Sequence, residues 1–466
     1  MHAFAREIET ALDAASGVAS DPVEVEVVGR GSLASCFDVT GLAVASIAAA
    51  GGELARYAAS DEGAVGRVEV DRRLASMWFG FSLRPEGWAL PSPWDPIAGD
   101  YPTRDGWIRL HTNAPHHRDA AIAVLGVEAD RKAVAAAVAR HESEGLEAAL
   151  VEGRGCAAAM RTQAEWARHP QGEAVAREPL VAWATVPCAT ESRPDRSRSR
   201  GAPLAGVRVL DLTRVLAGPV ATRFLASWGA DVLRIDPPSW DEPAVVPEVT
   251  VGKRCAGLDL EQAGDRARFE SLVAEADVFV HGYRPDALAR LGYDSARIRA
   301  LNPDLIDVAL CAYGWTGPWR GRRGFDSLVQ MSSGIAHAGS LWANAPRPTP
   351  LPVQALDHAA GYLMAAAVLR GLRLRRDAGL AASARLSLAR TASLLTAGPP
   401  DTASGALAAE EPSDLAPGVE DTTWGAARRL RVPLRIAGLN GESGTPACAL
   451  RSGPPAWRGG AVAAGV

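Results

Sequence analysis

Short apolar runs alternate with helical stretches along residues 203–396, and this alternation limits the folds that the chain can adopt. The runs are rich in Val, Leu and Ile, which is typical of buried strands. The clearest strand runs are GVRVLDLT (206–213), ADVLRIDPP (230–238), DVFVHGY (277–283) and LIDVALCAY (305–313). Between them lie helical stretches such as ATRFLASWG and EQAGDRARFESLVAEA. The alternation predicts an α/β fold with a doubly wound, mostly parallel sheet in a Rossmann-like large domain, accompanied by a smaller α/β domain.

The loops at the carboxyl ends of these strands are the expected ligand site, because doubly wound sheets bind ligands there. These loops follow Thr213, Ile235, Val280 and Ala312. The first loop and the helix after it read LTRVLAGPVATRF, which lacks the G-x-G-x-x-G spacing of dinucleotide-binding folds. The sequence therefore disfavours a nicotinamide or flavin cofactor.

Two linkers divide the chain. Both are rich in Pro, Ser and charged or small residues and neither has an apolar period, which is typical of loose connectors. The predicted organisation is an N-terminal block (1–190), a Ser/Arg-rich linker (191–202), a central sheet domain (203–396), a flexible linker (397–421) and a C-terminal tail (422–466).

Composition excludes several classes of function. The chain carries 49 basic and 54 acidic residues, a net charge of -5, which argues against nucleic-acid binding. No apolar run reaches the ~18 residues that a membrane span needs. The N-terminus has Arg6, Glu7 and Glu9 where a signal peptide has its apolar core, so a cytoplasmic protein is expected. The 6 cysteines lie far apart without a C-x-x-C pair, so neither a metal site nor a disulfide framework is expected.

Four phrases of the central block occur in an order that is found in a known family. They read PLAGVRVLDLTRVLAGP, GADVLRIDPP, GKRCAGLDL and LNPDLIDVALCAYGWTGPWRGRRGFD. In this order they resemble the class III CoA-transferase family (CaiB/BaiF type), which also contains formyl-CoA transferases and 2-methylacyl-CoA racemases. The N-terminal block resembles the small domain, which comes later in family members, and the tail resembles their closing segment. The resemblance therefore implies a rearranged domain order, and it also implies a homodimer.

The catalytic residue of that family is an Asp at the start of a helix, and Asp357 in PLPVQALDHAAGYLMAAAVLRGLRLR holds the matching position. Asp357 precedes a long apolar stretch, so a helix dipole would stabilise its carboxylate by about 0.3–1 kcal/mol. Asp is also among the best N-caps, and a purely capping role stays open. The backbone N–H groups of His358 and Ala359 are expected to stabilise oxyanions.

The chemistry that the resemblance implies is covalent catalysis, with coenzyme A as substrate and no permanently bound cofactor. The carboxylate would attack an acyl-CoA, release CoA thiolate, take it up as aspartyl-CoA and pass it to an acceptor. The implied partners are an acyl-CoA and a carboxylic acid.

The resemblance also assigns residues to coenzyme A binding. They are Val215, Leu216, Lys253, Tyr283, Arg290, Leu291 and Arg323. Lys253 matches a phosphate-binding lysine of the family, and Tyr283 matches an aromatic residue beside the adenine. Arg320 and Arg322 cluster with Arg323, so at least one of the three is expected to contact a phosphate.

Two other functions stay open. The racemase branch carries a catalytic His where this chain has Phe325, and His337 or His358 could take its place as the acid/base group. A non-catalytic acyl-CoA-binding protein is the other alternative, because the domain order is unusual. Residues 38–76 also share an outline with residues 356–393, which predicts an internal repeat whose first copy has Gly41 opposite the nucleophile.

Overall fold

The computed structural model describes residues 3–17, 20–59, 65–189, 201–398, 405–441 and 444–459. The linker predicted at 191–202 lies almost wholly outside these ranges, and so does part of the one at 397–421. The elements of the N-terminal block are α1 (Ala3–Asp13), β1 (Val25–Val28), α2 (Val39–Ala58), β2 (Val68–Asp71), α3 (Arg72–Trp78), β3 (Leu83–Pro85), β4 (Gly99–Pro102), β5 (Trp107–Leu110), α4 (Pro115–Leu125), α5 (Arg131–Val138), α6 (Ser143–Glu152), β6 (Ala157–Ala159), α7 (Gln163–Arg168), α8 (Pro170–Arg177) and β7 (Ala182–Pro187).

The central block and the tail continue this order. Their elements are β8 (Arg208–Leu212), α9 (Ala217–Ser227), β9 (Asp231–Asp236), α10 (Val246–Val249), β10 (Arg254–Gly257), α11 (Ala263–Glu275), β11 (Val278–His281), α12 (Ala287–Arg290), α13 (Ser295–Leu301), β12 (Ile306–Cys311), α14 (Asp326–Ser332), α15 (Ile335–Trp342), α16 (Ala355–Ala378), β13 (Leu380–Ser387), α17 (Leu388–Ala397), β14 (Glu420–Thr422), β15 (Gly425–Arg429) and β16 (Leu434–Ile436).

A seven-stranded sheet organises the central block, in the order β10-β9-β8-β11-β12-β13-β7. All neighbouring strands are parallel except β13 and β7, which are antiparallel. Alternate residues of β8 face opposite layers, since Val209 belongs to the hydrophobic core that contains α16, whereas Leu210 belongs to the core that contains Phe269 of α11. The predicted α/β fold with a doubly wound, mostly parallel sheet is therefore confirmed.

The N-terminal block completes this sheet. Its β7 pairs with β13, and β4, β5 and β6 form a separate three-stranded antiparallel sheet that packs with α4, α5 and α6 around Tyr101 and Ile108. The sequence predicts neither β7 nor β13 as a member of the central sheet. The tail strands β15 and β16 pair with β3 and β2 of the N-terminal block.

The predicted repeat appears as the same order of helix, strand and helix in α2-β2-α3 and in α16-β13-α17. Helices α2 and α16 lie in one hydrophobic core. In the first copy, Oδ1 of Asp38 accepts a hydrogen bond from the N–H of Gly41. A Cβ on Gly41 would lie 2.0 Å from Oδ2 of Asp38, so a side chain there would displace the Asp38 carboxylate. Within the described ranges, no helix is both long and apolar enough to cross a bilayer.

Candidate active site

The strand order of the central sheet reverses between β8 and β11, because β9 and β10 continue the sheet on one side and β12 on the other. Loops that follow strands at such a reversal diverge and leave a crevice. Residues 213–215 and 282–284 line a cavity of about 190 Å³ there, which we call the switch-point crevice. A cavity thus lies where the sequence predicts the ligand site.

The first loop of the crevice is strained. Val215 has a φ of +65°, a left-handed conformation that is rare for a β-branched residue. Its N–H donates a hydrogen bond to Oε2 of Glu242 at 2.8 Å, which holds the loop in this conformation. Leu216 follows as the residue before α9 and is buried. Both Val215 and Leu216 line the crevice, in the place where the resemblance puts coenzyme A contacts.

Asp357 lines the same crevice from the third residue of α16 and is only 6% exposed. One turn along this helix, a Cβ on Gly361 would lie 2.5 Å from the carbonyl oxygen of Ala217. The close approach that this glycine allows brings the beginnings of α9 and α16 side by side. The sequence prediction that Asp357 stands at the start of a helix therefore agrees with the structure.

Asp357 does not cap its helix. Oδ2 of Asp326 accepts hydrogen bonds from the N–H groups of Leu356 at 2.9 Å and of Asp357 at 3.0 Å. Oδ1 of Asp326 accepts a further hydrogen bond from Nε2 of Gln330. The side chain of Asp326, which belongs to α14, thus serves as the cap of α16. The alternative that Asp357 has a purely capping role is wrong.

The carboxyl group of Asp357 holds its proton more tightly than an ordinary Asp. Burial raises its pKa well above the usual value, and the negative charge of Asp326 raises it further. Burial also raises the pKa of Asp326, to about 6, against the effect of its hydrogen bonds. A helix dipole contributes about 0.3–1 kcal/mol, less than the ~1.4 kcal/mol of one pKa unit. Burial therefore outweighs the dipole, and the expectation that the dipole keeps Asp357 ionised needs correction.

The predicted oxyanion donors are also wrong. The N–H of His358 donates to the carbonyl oxygen of Gln354 at 3.2 Å, and Ala359 lies inside α16. Both N–H groups are therefore used within the helix. In the part of the chain that the structure describes, no group donates a hydrogen bond to the side-chain oxygens of Asp357.

Positive charge gathers at the rim of the crevice. The arginines that line it are Arg214, Arg284, Arg322 and Arg323. Nη2 of Arg322 lies 2.8 Å from Oε1 of Glu147, but no carboxylate of the described residues lies within 4 Å of Arg214 or Arg323. Burial and the neighbouring charge of Arg323 lower the pKa of Arg284. Cations that oppose one another without carboxylate partners are typical of an anion site.

Arg214 is held between two aromatic rings. Its guanidinium carbon lies 4.8 Å from the ring centroid of Trp240 and 5.2 Å from that of Tyr283. Nη2 also donates to the hydroxyl oxygen of Tyr283 at 2.9 Å. The predicted residues Tyr283 and Arg323 are thus in the crevice. Arg214 and Arg284 were not predicted individually, although both lie in loops that the sequence predicts to bind ligand.

Lys253 is not in the crevice. It is 1% exposed, and its Nζ contacts Oδ2 of Asp211 at 3.1 Å, the carbonyl oxygen of Pro219 at 3.0 Å and Oγ1 of Thr222 at 2.6 Å. An ammonium group has three N–H donors, and all three are used by these partners. The predicted phosphate contact of Lys253 therefore needs correction, because this lysine neutralises a buried carboxylate.

Three further predicted contacts lie outside the crevice lining. Arg290 is exposed on α12 and forms an ion pair with Asp286, and Leu291 packs against the core on the α11 face of the sheet. Arg320 is exposed on the segment before α14. Of the arginines 320, 322 and 323, the structure brings the last two to the crevice.

Histidines of the N-terminal block adjoin Phe325, which lines the crevice. The ring of His111 stacks on Phe325 with 3.6 Å between centroids, and the ring of His117 lies 5.9 Å away. Burial lowers the pKa of both histidines to about 3, so they are neutral. Neither His337 nor His358 lines the crevice, so the suggestion that one of them replaces the racemase histidine needs correction.

The N-terminal block contacts two of the arginines that line the crevice. Glu147 of α6 binds Arg322, and the carbonyl oxygen of Arg154 accepts a hydrogen bond from Nη1 of Arg323 at 3.5 Å. The two blocks that the sequence separates thus meet at these arginines, whereas the described residues that line the crevice all belong to the central block.

Comparison with known proteins places the match on the central block and part of the tail. Residues 204–423 match the profile of CoA-transferase family III. The succinyl-CoA:glutarate CoA-transferase of Mus musculus is 33% identical over 201 residues, 40% of this chain and 45% of that protein. The acetyl-CoA:oxalate CoA-transferase of Acetobacter aceti is 34% identical over 161 residues, 32% of this chain and 41% of that protein. The chain thus spans less than half the length of these relatives.

Solved structures give similar partial matches. The structure of Rv3272 from Mycobacterium tuberculosis is 29% identical, with 42% of this chain and 58% of that chain covered and a TM-score of 0.38. A CAIB/BAIF family protein from Brucella suis is 24% identical, with 48% and 65% covered and a TM-score of 0.37. Both TM-scores are below 0.5, so these structures say nothing further about this chain.

Proposed function

Because residues 204–423 match the CoA-transferase family III profile, we propose that this chain transfers coenzyme A from an acyl-CoA to a carboxylic acid, with Asp357 as the nucleophile. The observation that carries the proposal is the environment of Asp357. Its carboxyl group is buried at the switch-point crevice, receives no hydrogen bond from the described residues and faces a rim of arginines.

Asp357 has the properties of a nucleophile more than those of a structural carboxylate. Hydrogen bonds stabilise a carboxylate and lower its pKa, so they also lower its reactivity. Asp326 takes the first N–H groups of α16, which leaves the oxygens of Asp357 free of them. Once ionised, a carboxylate with a raised pKa is a stronger base and attacks a thioester carbonyl more readily.

The proposed reaction runs through three covalent intermediates, which are two mixed anhydrides and the aspartyl-CoA thioester between them. An Oδ of Asp357 attacks the thioester carbon, the C–S bond breaks, and a mixed anhydride and CoA thiolate result. The thiolate attacks the aspartyl carbonyl, and the first carboxylic acid leaves as its anion. The acceptor carboxylate then attacks aspartyl-CoA, and the same steps in reverse regenerate Asp357 and release the new acyl-CoA. No net proton or electron is gained or lost.

The arginine rim is the proposed site for the phosphates of coenzyme A. Guanidinium groups bind phosphate oxygens through charge-assisted hydrogen bonds, and Arg214, Arg284 and Arg323 are close to one another without tight carboxylate partners. The crevice of about 190 Å³ is smaller than the ~300–1,000 Å³ of sites that enclose a drug-sized ligand. We therefore expect it to take the thioester end, with the nucleotide extending outward from the part of the lining formed by Tyr283 and Trp240.

Racemisation of an acyl-CoA at its α-carbon is the second candidate. The observation that favours it is the pair of neutral imidazoles of His111 and His117 beside Phe325, whose ring nitrogens include atoms without a hydrogen-bond partner in the described part of the chain. Proton exchange between Asp357 and one imidazole would require that imidazole to reach the crevice past Phe325, because neither His111 nor His117 lines it. The third candidate, a binding protein without catalysis, needs only the arginine rim.

The test is a panel of acetyl-CoA and succinyl-CoA donors with oxalate, glutarate and malate acceptors, followed by mass spectrometry of the CoA esters. A transferase forms the new ester, and Asp357→Asn abolishes its formation while coenzyme A still binds. Asp377→Asn is the matched control, because Asp377 lies exposed at the other end of α16. Exchange of α-hydrogen for deuterium without a new ester would favour the racemase. Binding with neither reaction would favour the binding protein.

A homodimer and a cytoplasmic location stay predictions. Light scattering measures the oligomeric state, and cell fractionation measures the location.

A further inference from the structure

A second and larger cavity lies beside the first residues of the small antiparallel sheet. Its volume is about 680 Å³, and it is lined by the segment 94–102, by β5 and by the segment 347–350 that precedes α16. No residue lines both this cavity and the switch-point crevice. A volume of this size is within the range of small-molecule sites.

A stack of rings separates the two cavities. Trp94 lines the larger cavity, Phe325 lines the crevice, and His111 lies between them. The His111 ring is edge-on to Trp94 with 6.1 Å between centroids and is stacked on Phe325. A ligand in the larger cavity is therefore held apart from Asp357 by this stack.

Two of the three arginines in the cavity lack a carboxylate partner among the described residues. Arg109 is paired with Asp100 at 2.7 Å, whereas neither Arg131 nor Arg347 forms an ion pair there. Asp95, the other acidic residue of the lining, is engaged by Arg118 at 3.4 Å. The cavity therefore presents uncompensated positive charge.

The guanidinium of Arg131 is held in place before any ligand arrives. Nη1 donates to the carbonyl oxygens of Ala98 at 2.9 Å and Pro96 at 3.2 Å, and the guanidinium carbon lies 5.2 Å from the ring centroid of Tyr101. A Cβ on Gly99 would lie 2.9 Å from Nη2, so the glycine leaves room for this group. A preorganised donor loses little freedom on binding, which favours affinity.

The rest of the lining is aromatic and apolar. Trp94, Trp107 and the prolines Pro102, Pro348 and Pro350 form these walls. Flat apolar surfaces of this kind pack well against an aromatic ring.

We propose that this cavity binds an aromatic carboxylic acid, with its carboxylate on Arg131 and Arg347 and its ring against Trp94 and Trp107. The proposal does not rest on the proposed function, because the cavity shares no lining residue with the crevice. The geometry of a guanidinium suits the two oxygens of a carboxylate, and the tryptophans select for a ring.

The probe that tests it is 4-fluorophenylacetate, observed by ¹⁹F NMR on titration with the full chain. The neutral 4-fluorophenylacetamide is the matched control ligand. The acid is expected to bind at least about tenfold more tightly than the amide, which corresponds to one charge-assisted hydrogen bond pair. Equal binding of acid and amide, or no binding of the acid, would overturn the proposal.

Variants locate the site. Arg131→Gln and Arg347→Gln should each weaken binding of the acid by about tenfold. Arg177→Gln, at an exposed arginine of α8, should leave it unchanged. Thermal unfolding checks that each variant is folded, and Arg347 is itself exposed, so its replacement should not disturb the fold. Binding that persists undiminished in both cavity variants would overturn the assignment.

Asp357→Asn and saturation with coenzyme A distinguish the two cavities. Binding of the acid should survive both, because they act on the switch-point crevice. Loss of binding under either condition, with the arginine variants unaffected, would show that the acid occupies the crevice and would contradict the second site.

Discussion

Oδ2 of Asp326 accepts the backbone N–H of Asp357 at 3.0 Å, while the charge of Asp326 raises the pKa of the Asp357 carboxyl group. One carboxylate therefore holds the start of α16, and the other is left without hydrogen bonds from the described residues. The structural task and the proposed chemical task are thus divided between two aspartates, and each makes the ionised form of the other less favourable.

Asp326→Asn should shift the pH dependence of activity. The variant removes a negative charge, so the pKa of Asp357 falls, and the ionised nucleophile is present at lower pH. The acidic limb of a plot of kcat/KM against pH should therefore move to lower pH. The amide oxygen of Asn can still accept the two N–H groups of α16, so the helix start is retained. An acidic limb that stays in place or moves upward would contradict the proposed coupling.

The same variant should change the pH dependence of stability. The pKa of Asp326 is about 6 in the folded chain, against about 3.9 in an unfolded one, so folding favours its protonated form. The free energy of unfolding should therefore decrease as pH rises from about 4 to about 6, by about 2–3 kcal/mol from this group. Urea denaturation of both proteins across this range measures the difference. A decrease of equal size in Asp326→Asn would contradict the assignment.

Arg284→Gln and Arg323→Gln should each raise the KM for the acyl-CoA by about tenfold with kcat little changed, because each removes one charge-assisted contact to a phosphate. The effect should shrink at high salt. Arg290→Gln should leave KM unchanged, since Arg290 is paired with Asp286 outside the crevice. Steady-state kinetics of the three variants shows which of these arginines contributes to binding of the acyl-CoA. If KM rose only in Arg290→Gln, the result would contradict the assignment to Arg284 and Arg323. It would instead support the contact of Arg290 with coenzyme A that the resemblance implies.

Lys253→Met should destabilise the fold more than it weakens coenzyme A binding. It leaves Asp211 buried without its ammonium partner at 3.1 Å, and loss of one partner of a buried ion pair costs about 3–5 kcal/mol. Lys132→Met is the matched control, because Lys132 is exposed on α5. Denaturation curves and equilibrium binding of coenzyme A below the unfolding transition separate the two effects. Unchanged stability with weaker binding would instead support a phosphate contact.

Most of the central sheet could be predicted from the sequence, because most of its strands are short apolar runs that can be recognised without knowledge of the rest of the chain. Strands β8, β9, β11 and β12 coincide with apolar runs read from the sequence. Strands β7 and β13 were not predicted as members of this sheet, since their pairing joins residues 182–187 to residues 380–387 and no local pattern shows it. Pairing across such a separation depends on the packing of the whole chain.

The site could be predicted only in part for a similar reason. The position of Asp357 follows from the resemblance, and the loops that carry Arg214 and Arg284 follow from the sheet rule. That Asp326 caps α16 depends on a contact across 31 residues. Whether Lys253 meets a phosphate or a buried Asp depends on where its side chain points, which sequence does not show.

Trapping of the covalent intermediate tests the central claim most directly. The chain is incubated with acyl-CoA and hydroxylamine, digested and analysed by peptide mass spectrometry. The account predicts a hydroxamate on Asp357 that requires acyl-CoA and is absent in Asp357→Asn. A hydroxamate on a different carboxylate, or CoA transfer that continues in Asp357→Asn, would contradict it.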